Sequence, residues 1–198
     1  MRIAITNQHR RLASFLPVFK AKPLSYTDRT RFPEHRTTVS IPMARSIVDL
    51  RSCNVEFFFD YDIFPPQILS ALGEWQVENR DMRIGDVIVQ QASVPPLRIS
   101  FKCIFAVRVL DITQSSTEMG FTYGTLAGHV ETGTSEFILA LGNSGISAEI
   151  HTFSQPAHRV GRLIAPALTR PYQQYCTNRA LTHMRNGFLR ANPESVRG

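Results

Sequence analysis

The sequence predicts an α+β fold in which a curved antiparallel sheet wraps around one long C-terminal helix. Over residues 97–109, apolar residues occupy alternate positions, which is the period of a strand with one buried face. Residues 142–145, with the sequence Gly-Asn-Ser-Gly, are a hairpin signal. Between residues 160 and 188, apolar residues recur every three or four positions, as in an amphipathic helix. A two-layer domain has to bury that apolar stripe, so we expect the helix to pack against the sheet.

The composition of the 198 residues indicates a single globular domain. Hydrophobic residues make up 43% and charged residues 19%, which supplies a core and leaves too little net charge for disorder. No apolar run approaches the roughly 18 residues of a membrane-spanning helix. The three cysteines are widely spaced and odd in number, so they indicate neither a metal pair nor a disulfide framework. This usage suits a reducing compartment, and we expect a cytoplasmic protein.

Positive charge is concentrated at the two ends of the chain. Residues 1–53 carry a net charge of about +7, residues 54–150 about −7, and residues 151–198 about +6. Basic ends of this kind are one way to bind nucleic acid or anionic lipid. Because no nucleic-acid-binding motif accompanies them, we expect instead that they pack around an acidic central sheet, with no specific nucleic-acid partner.

The first 27 residues contain no acidic side chain, a composition that resembles an organelle transit peptide. Pro17 and Pro23 interrupt any long amphipathic helix there, which favours a loosely packed basic extension over residues 1–36 instead. The rest of the predicted organisation is a single domain over residues 37–190 and a tail over residues 191–198.

Local patterns predict the elements before the long strand. The aromatic run at residues 54–61 favours a strand. Pro65 and Pro66 then suit the first turn of a short helix over residues 67–77, where apolar residues have helical spacing. A short β-rich run follows at residues 86–91.

After the long strand, consecutive strands with short connections predict antiparallel pairing. A polar turn is expected at residues 111–117, and the glycine-containing segment 127–134 reads as a connection. The strands of this meander are predicted over residues 118–126, 136–141 and 146–153.

The C-terminal helix is predicted to begin after Ser154, a plausible N-cap two residues before Pro156, and to end near Gly187. Pro166 and Pro171 each remove a backbone hydrogen bond, so a kink or break is expected there. A curved sheet around a helix usually encloses a cavity, and ligand pockets favour such places.

Residues 120–133 read GFTYGTLAGHVETG and are followed by Glu136 and Phe137, while Ser154-Gln155-Pro156 precedes the last helix. These residues resemble the signature of an uncharacterised bacterial and plant family, domain of unknown function nineteen-ninety (DUF1990). The resemblance covers about residues 80–185. It implies the helix-grip fold of the START-like and polyketide-cyclase-like superfamily, and it implies no established activity.

The polar residues of this run allow three interpretations. A histidine near a carboxylate can act as a general acid or base, which would use His129 and Glu131. The same two residues could ligate a metal ion, with His151 or His158 as a third ligand. The glycines around them equally suit a tight structural loop that hydrogen bonds hold together.

Strand parity places Tyr123 on the same side as Met119 and Phe121, so its hydroxyl is expected inside the core or cavity. The favoured function is a non-catalytic module that binds an apolar or amphipathic small molecule between sheet and helix, with no cofactor and no metal. The alternative is a cyclase- or hydrolase-like enzyme that uses His129 with Glu131 or Tyr123. The residues predicted to contact the ligand are Tyr123, Thr125, His129, Glu131, Glu136 and Phe101.

Overall fold

The computed structural model describes residues 1–28, 32–42, 47–94, 101–143, 145–157 and 170–195. Within these residues, eight strands form one sheet, and its paired strands run antiparallel. The strands are β1 (Arg2–Ala4), β2 (Glu34–Ile41), β3 (Leu69–Gly73), β4 (Val87–Val94), β5 (Phe101–Gln114), β6 (Glu118–Thr125), β7 (Glu131–Gly142) and β8 (Gly145–Pro156). The α-helices are α1 (Leu16–Lys20), α2 (Glu56–Phe59), α3 (Glu74–Glu78) and α4 (Arg170–Ala191), and 3-10 helices span His9–Phe15, Leu50–Ser52 and Pro193–Ser195.

The strand order is β2-β8-β7-β6-β5-β4-β3, with β1 paired to the first part of β5. The meander from β5 to β8 confirms the predicted antiparallel strands, and Gly142 pairs with Gly145 across the predicted hairpin. A register shift between Val109 and Asp111 marks a bulge in β5, which bends the strand. The predicted polar turn begins late, because β5 continues to Gln114.

The main core lies between one face of the sheet, here called the concave face, and helix α4. Alternate residues of the central strands supply the sheet side, and Ala180, Leu181, Met184 and Phe188 supply the helix side. This arrangement confirms the predicted α+β class, a curved antiparallel sheet wrapped around a C-terminal helix. In the described residues, no helix is both long and apolar enough to cross a membrane.

The opposite face of the sheet, here called the outer face, is covered by the N-terminal segment. Leu12, Leu16 and Phe19 are buried in a second cluster with Val89 and Ile104 of the sheet. Lys20 forms an ion pair with Glu74 of α3. The prediction of a loosely packed extension over residues 1–36 is therefore wrong. The alternation in β5 predicts a sheet with one buried face. Ile104 and its neighbours on the outer face are buried as well, because the N-terminal segment covers them.

The structure also differs from the prediction at two short elements before β4. The aromatic run at 54–61, predicted as a strand, contains helix α2, which packs Phe58 into the core against Phe121 at a ring distance of 5.3 Å. The segment 67–77, predicted as a helix, holds strand β3, paired with β4, and only then the short helix α3. Tertiary partners override local propensity in both places.

Helix α4 runs past the predicted end. Gly187 lies inside it, where an added Cβ atom would sit 2.7 Å from the ring of Phe57. The glycine therefore permits close approach of helix and ring rather than ending the helix. Ser154 and Pro156, the predicted N-cap and first turn of this helix, lie instead in strand β8, so the helix does not begin there. Pro166 and the first part of the apolar stripe fall at residues 158–169, outside the described residues.

Candidate functional site

A cavity of about 710 Å³ lies between the concave face and helix α4. Its wall is largely apolar and aromatic on the sheet side, and helix α4 contributes Gln174, Cys176 and Thr177. The sheet-side residues used below are Gln90, Phe105, Tyr123, His129, Val130, Glu131, Ser135 and Phe137.

Cross-strand register builds the aromatic part of the wall. Phe121 of β6 lies directly opposite Phe137 of β7, and their rings stack with centroids 5.2 Å apart. Tyr123 follows two residues later on the same side, with its ring 5.4 Å from Phe137. The structure therefore confirms that Tyr123 shares the core side with Phe121, as strand parity predicts.

The hydroxyl of Tyr123 belongs to a buried polar cluster. Tyr123 lies directly opposite Ser135 of β7, and its ring is 6.3 Å from the ring of Tyr61. The Tyr61 hydroxyl in turn accepts a hydrogen bond of 2.6 Å from Nε2 of Gln90. Burial raises the pKa of both tyrosines, so both side chains stay protonated and neutral near pH 7.

Sequence reasoning missed Tyr61 and Gln90. Tyr61 stands in the left-handed region with φ of 63°, a conformation that a non-glycine residue adopts only where its surroundings hold it. Its backbone N–H donates to Phe58 at the end of α2, and this tight turn carries the ring into the core. The signal for Gln90 was present, since Gln90 and Gln91 interrupt an otherwise apolar strand.

His129 is the last residue of a turn that follows β6. Its backbone N–H donates to the carbonyl of Leu126 over 2.9 Å, and its ring packs edge-on against Phe105 at 4.3 Å. The side chain is 8% exposed. The sequence predicts the Glu131 carboxylate as the partner of this ring. In the structure the Glu131 backbone contacts the ring instead, and its N–H donates to Nδ1 over 3.0 Å.

The backbone of Glu131 selects the tautomer of His129. The amide proton is fixed on nitrogen, so Nδ1 has to be unprotonated to accept it, even though the Glu131 carbonyl also lies 3.1 Å away. The proton then resides on Nε2, which has no hydrogen-bond partner among the described residues. Burial lowers the pKa of His129 to about 3, so the ring is neutral.

Thr125 and Gly133 hold this turn in place. The Gly133 N–H donates to Oγ1 of Thr125 over 2.9 Å, and the Thr125 hydroxyl also lies 2.6 Å from the hydroxyl of Ser25. Gly133 has φ of +142°, and a Cβ atom there would lie 1.9 Å from the Phe153 carbonyl oxygen, so only glycine fits. Thr125, a predicted ligand contact, is thus a structural tie and does not line the cavity.

Glu136 and Phe101 also fall outside the cavity lining. Glu136 projects from the outer face, where its carboxylate lies 3.2 Å from Nδ1 of His151, because residues of even number on β7 face away from the core. Phe101 is the first residue of β5 and is 62% exposed.

The structure does not bring the predicted third metal ligand to His129. His151 lies on the outer face between Glu136 and Glu34, whose carboxylate is 2.7 Å from Nε2, and His158 is outside the described residues. Across the described ranges, no group of three or more His, Cys, Asp or Glu side chains is placed to hold a metal ion.

A family comparison decides where the chain belongs. The family model described as "Domain of unknown function (DUF1990)" matches residues 57–183, a span that includes Tyr61, Gln90, Tyr123 and His129. The chain belongs to this family. The DUF1990 match begins within the aromatic run before β3, so the family region includes the turn that places Tyr61. A comparison with curated protein sequences finds no match to this chain.

Solved structures similar to this DUF1990 chain include three with a TM-score of 0.46. Major latex-like protein 151 from Panax ginseng is 10% identical, and the match covers 79% of this chain and 97% of that one. Protein Ms6760 from Mycobacterium smegmatis is 10% identical, with 83% and 96% covered. The di-domain ARO/CYC StfQ from the steffimycin biosynthetic pathway is 9% identical, with 82% of this chain and 50% of that chain covered.

Proposed function

We propose that this chain binds an apolar or amphipathic small molecule in the cavity between the concave face and helix α4. The volume of about 710 Å³ lies within the range of small-molecule sites, roughly 300–1,000 Å³. Phe64, Phe105, Tyr123 and Phe137 supply aromatic rings to the wall, and polar side chains are set among them, as in sites that orient an otherwise apolar ligand.

The single observation that carries the proposal is the cavity itself, whose wall sets the polar side chains of Gln90, Tyr123 and Ser135 among the rings of Phe105 and Phe137. A space of this size lined mainly by apolar atoms, with a few polar groups that can orient a ligand, is typical of small-molecule sites. The cavity therefore supports binding between sheet and helix.

The enzyme alternative used His129 as a base, and its geometry favours the opposite role. The lone pair of the ring is on Nδ1, where the Glu131 N–H occupies it, and Nε2 carries a proton. A pKa of about 3 also makes the ring a weak base near neutral pH. We therefore propose that His129 does not abstract a proton from a ligand in this cavity.

Native mass spectrometry of the protein purified from its own host tests the proposal. We expect a fraction of the protein to carry a retained small molecule as extra mass. Ala92→Phe should abolish it, because Ala92 lines the cavity and the added ring fills it. Ala140→Phe on β7 is the matched control, since Ala140 lies at an even position of that strand, on the outer face. Absence of extra mass in the parent, or its persistence in Ala92→Phe, contradicts the proposal.

A further inference from the structure

We propose that residues 2–22 of the N-terminal segment dock this protein on an anionic lipid surface. The proposal concerns the outer face of the sheet and does not depend on ligand binding in the cavity. It follows from three features of residues 2–22: the side that the helices leave exposed, the cations that have no acidic partner, and the apolar side chains that stand among those cations.

The 3-10 helix His9–Phe15 and helix α1 lie along the outer face with one side buried and the other exposed. The buried side consists of Leu12, Phe15, Leu16 and Phe19. On the opposite side Arg11, Ser14 and Val18 are exposed, and they follow one another at the helical spacing of three and four residues. The two helices together are roughly 20 Å long, at about 2.0 and 1.5 Å per residue. Their exposed side is therefore a continuous strip that a partner can contact.

The cations of residues 2–22 are only partly neutralised by the rest of the protein. There are five of them and no acidic residue: Arg2, Arg10, Arg11, Lys20 and Lys22. Lys20 is paired with Glu74, as expected for a basic end that packs around an acidic sheet. The other four form no ion pair within the part of the chain that the structure describes. An anionic surface is the complement of this unbalanced positive charge.

Two of the four unpaired cations are held against rings of the helices. The Arg2 guanidinium lies 5.3 Å from the centre of the Phe15 ring, and the Lys22 ammonium group lies 4.8 Å from the centre of the Phe19 ring. Contacts of this kind attract a cation to the face of the ring. Since both rings belong to the helices on the outer face, the two charges are kept beside the exposed strip.

Apolar side chains stand among these cations. Ile5 is 83% and Val18 43% exposed, and with Ile3 they make up three of the eight large apolar side chains that are exposed in the described ranges. A single exposed apolar residue is ordinary. Apolar side chains beside unpaired cations are instead typical of surfaces that bind anionic lipid, because the cations attract the head groups while the apolar groups enter the interface.

The same features disfavour nucleic acid as the partner. Proteins bind single strands largely by stacking bases on exposed aromatic rings, and both rings of residues 2–22, Phe15 and Phe19, are buried. A helix that reads duplex DNA projects into the major groove, whereas both helices here are short and lie flat on the sheet. The exposed Ile5 and Val18 also have no complement on a phosphate backbone.

Co-sedimentation of the full chain with lipid vesicles tests the proposal. Phosphatidylcholine vesicles that contain about 30% phosphatidylserine should bind the protein at least about tenfold more tightly than vesicles of phosphatidylcholine alone. The difference should diminish as the salt concentration rises from about 0.05 M to about 0.5 M, because salt screens the charges. Equal binding to both kinds of vesicle, or binding to neither, would overturn the proposal.

A pair of double variants separates the proposed surface from net charge. Arg10→Gln with Arg11→Gln should weaken binding to the phosphatidylserine vesicles about tenfold or more. Arg179→Gln with Arg190→Gln removes the same charge from exposed positions of helix α4, and it should leave that binding within about twofold of the parent. An equal loss in both would show that net charge alone attracts the protein, which contradicts docking through residues 2–22.

A second pair tests the apolar contribution. Ile5→Ser with Val18→Ser should weaken binding to the phosphatidylserine vesicles about three- to tenfold. Val77→Ser with Ile84→Ser changes the same two residue types at exposed positions elsewhere and should preserve it. Full binding by the first of these variants would exclude insertion and overturn the proposal. Tighter binding of the parent to a single-stranded RNA of about 20 nucleotides than to the vesicles, lost in the Arg10 and Arg11 variant, would assign the surface to nucleic acid instead.

Discussion

Nε2 of Gln90 donates a hydrogen bond of 2.6 Å to the hydroxyl of Tyr61, and both side chains are almost completely buried. The bond joins strand β4 to the turn after α2, two segments that are 29 residues apart in sequence. The ring of Tyr61 also lies 6.3 Å from the ring of Tyr123 on β6. These side chains therefore bring three parts of the fold together beside the cavity.

Removing both partners of this bond should destabilise the fold by less than the sum of the two single removals. Gln90→Leu or Tyr61→Phe alone leaves a buried polar group with one partner fewer, and we expect each to lower the free energy of unfolding by about 1–3 kcal/mol. The double variant should lose less than the sum, because it leaves neither half of the bond behind. Urea unfolding of the four proteins measures the coupling, and strictly additive losses would show that the bond contributes nothing of its own.

The concave core should depend on Phe137 and not on Phe101. Phe137 is 1% exposed and packs against Phe121, so Phe137→Ala should destabilise the fold by about 3–5 kcal/mol. Phe101→Ala removes the same side chain from an exposed position and should cost less than about 1 kcal/mol. Thermal melting compares the two, and equal effects would contradict the assignment of the core.

The N-terminal segment should stabilise the whole domain. Leu12 is fully buried under the outer face, so Leu12→Ala should lower the free energy of unfolding by about 2–5 kcal/mol. Val18 belongs to the same segment and is exposed, and Val18→Ala serves as the control with an expected change below about 0.5 kcal/mol. A loosely packed extension would instead give small and similar effects for both.

Acid should weaken the fold through His129. The pKa of this ring falls from 6.5 in the unfolded chain to about 3 in the folded protein, because burial disfavours the charged form. Below pH 6.5 the unfolded chain therefore binds a proton that the folded chain does not. The free energy of unfolding should fall by roughly 3–5 kcal/mol from this source as the pH drops towards 3, with no contribution above 6.5.

Unfolding free energies at several pH values, for the parent and His129→Phe, isolate this effect. The free energy of unfolding of the parent should fall relative to that of His129→Phe as the pH drops below 6.5. A constant difference between parent and His129→Phe from pH 7 to pH 4 would mean that the ring takes up its proton in the fold as readily as in the unfolded chain.

Sequence patterns predict the part of this fold where pairing is local. The alternation in β5 and the Gly-Asn-Ser-Gly hairpin identify strands whose partners follow within a few residues. Sequence patterns predict a strand where helix α2 lies and a helix where strand β3 lies. A four-residue helix and a five-residue strand carry too little periodicity to identify them, and their distant partners decide the structure.

In the candidate site, too, residues that are close in sequence can be predicted together, and residues from distant segments cannot. Tyr123 and His129 belong to one glycine-rich run, so sequence alone indicates them as neighbours. Gln90 lines the same cavity from β4, and Tyr61 packs against Tyr123 from the turn after α2. No spacing in the sequence relates these two residues to Tyr123. Glu136 lies only one strand away, yet the two-residue period of β7 places it on the opposite face, and a site predicted from proximity in sequence misses that.

The pairing of β1 with β5 has a consequence for biosynthesis. Arg2 pairs with Ile104, so the first strand leaves the ribosome about a hundred residues before the strand that completes it. At translation rates of about 5–20 residues per second, that delay is roughly 5–20 seconds. During it, Leu12, Leu16 and Phe19 have no sheet to cover and stand exposed to solvent and to chaperones. The N-terminal segment therefore has to wait for a folding partner that is synthesised about a hundred residues later.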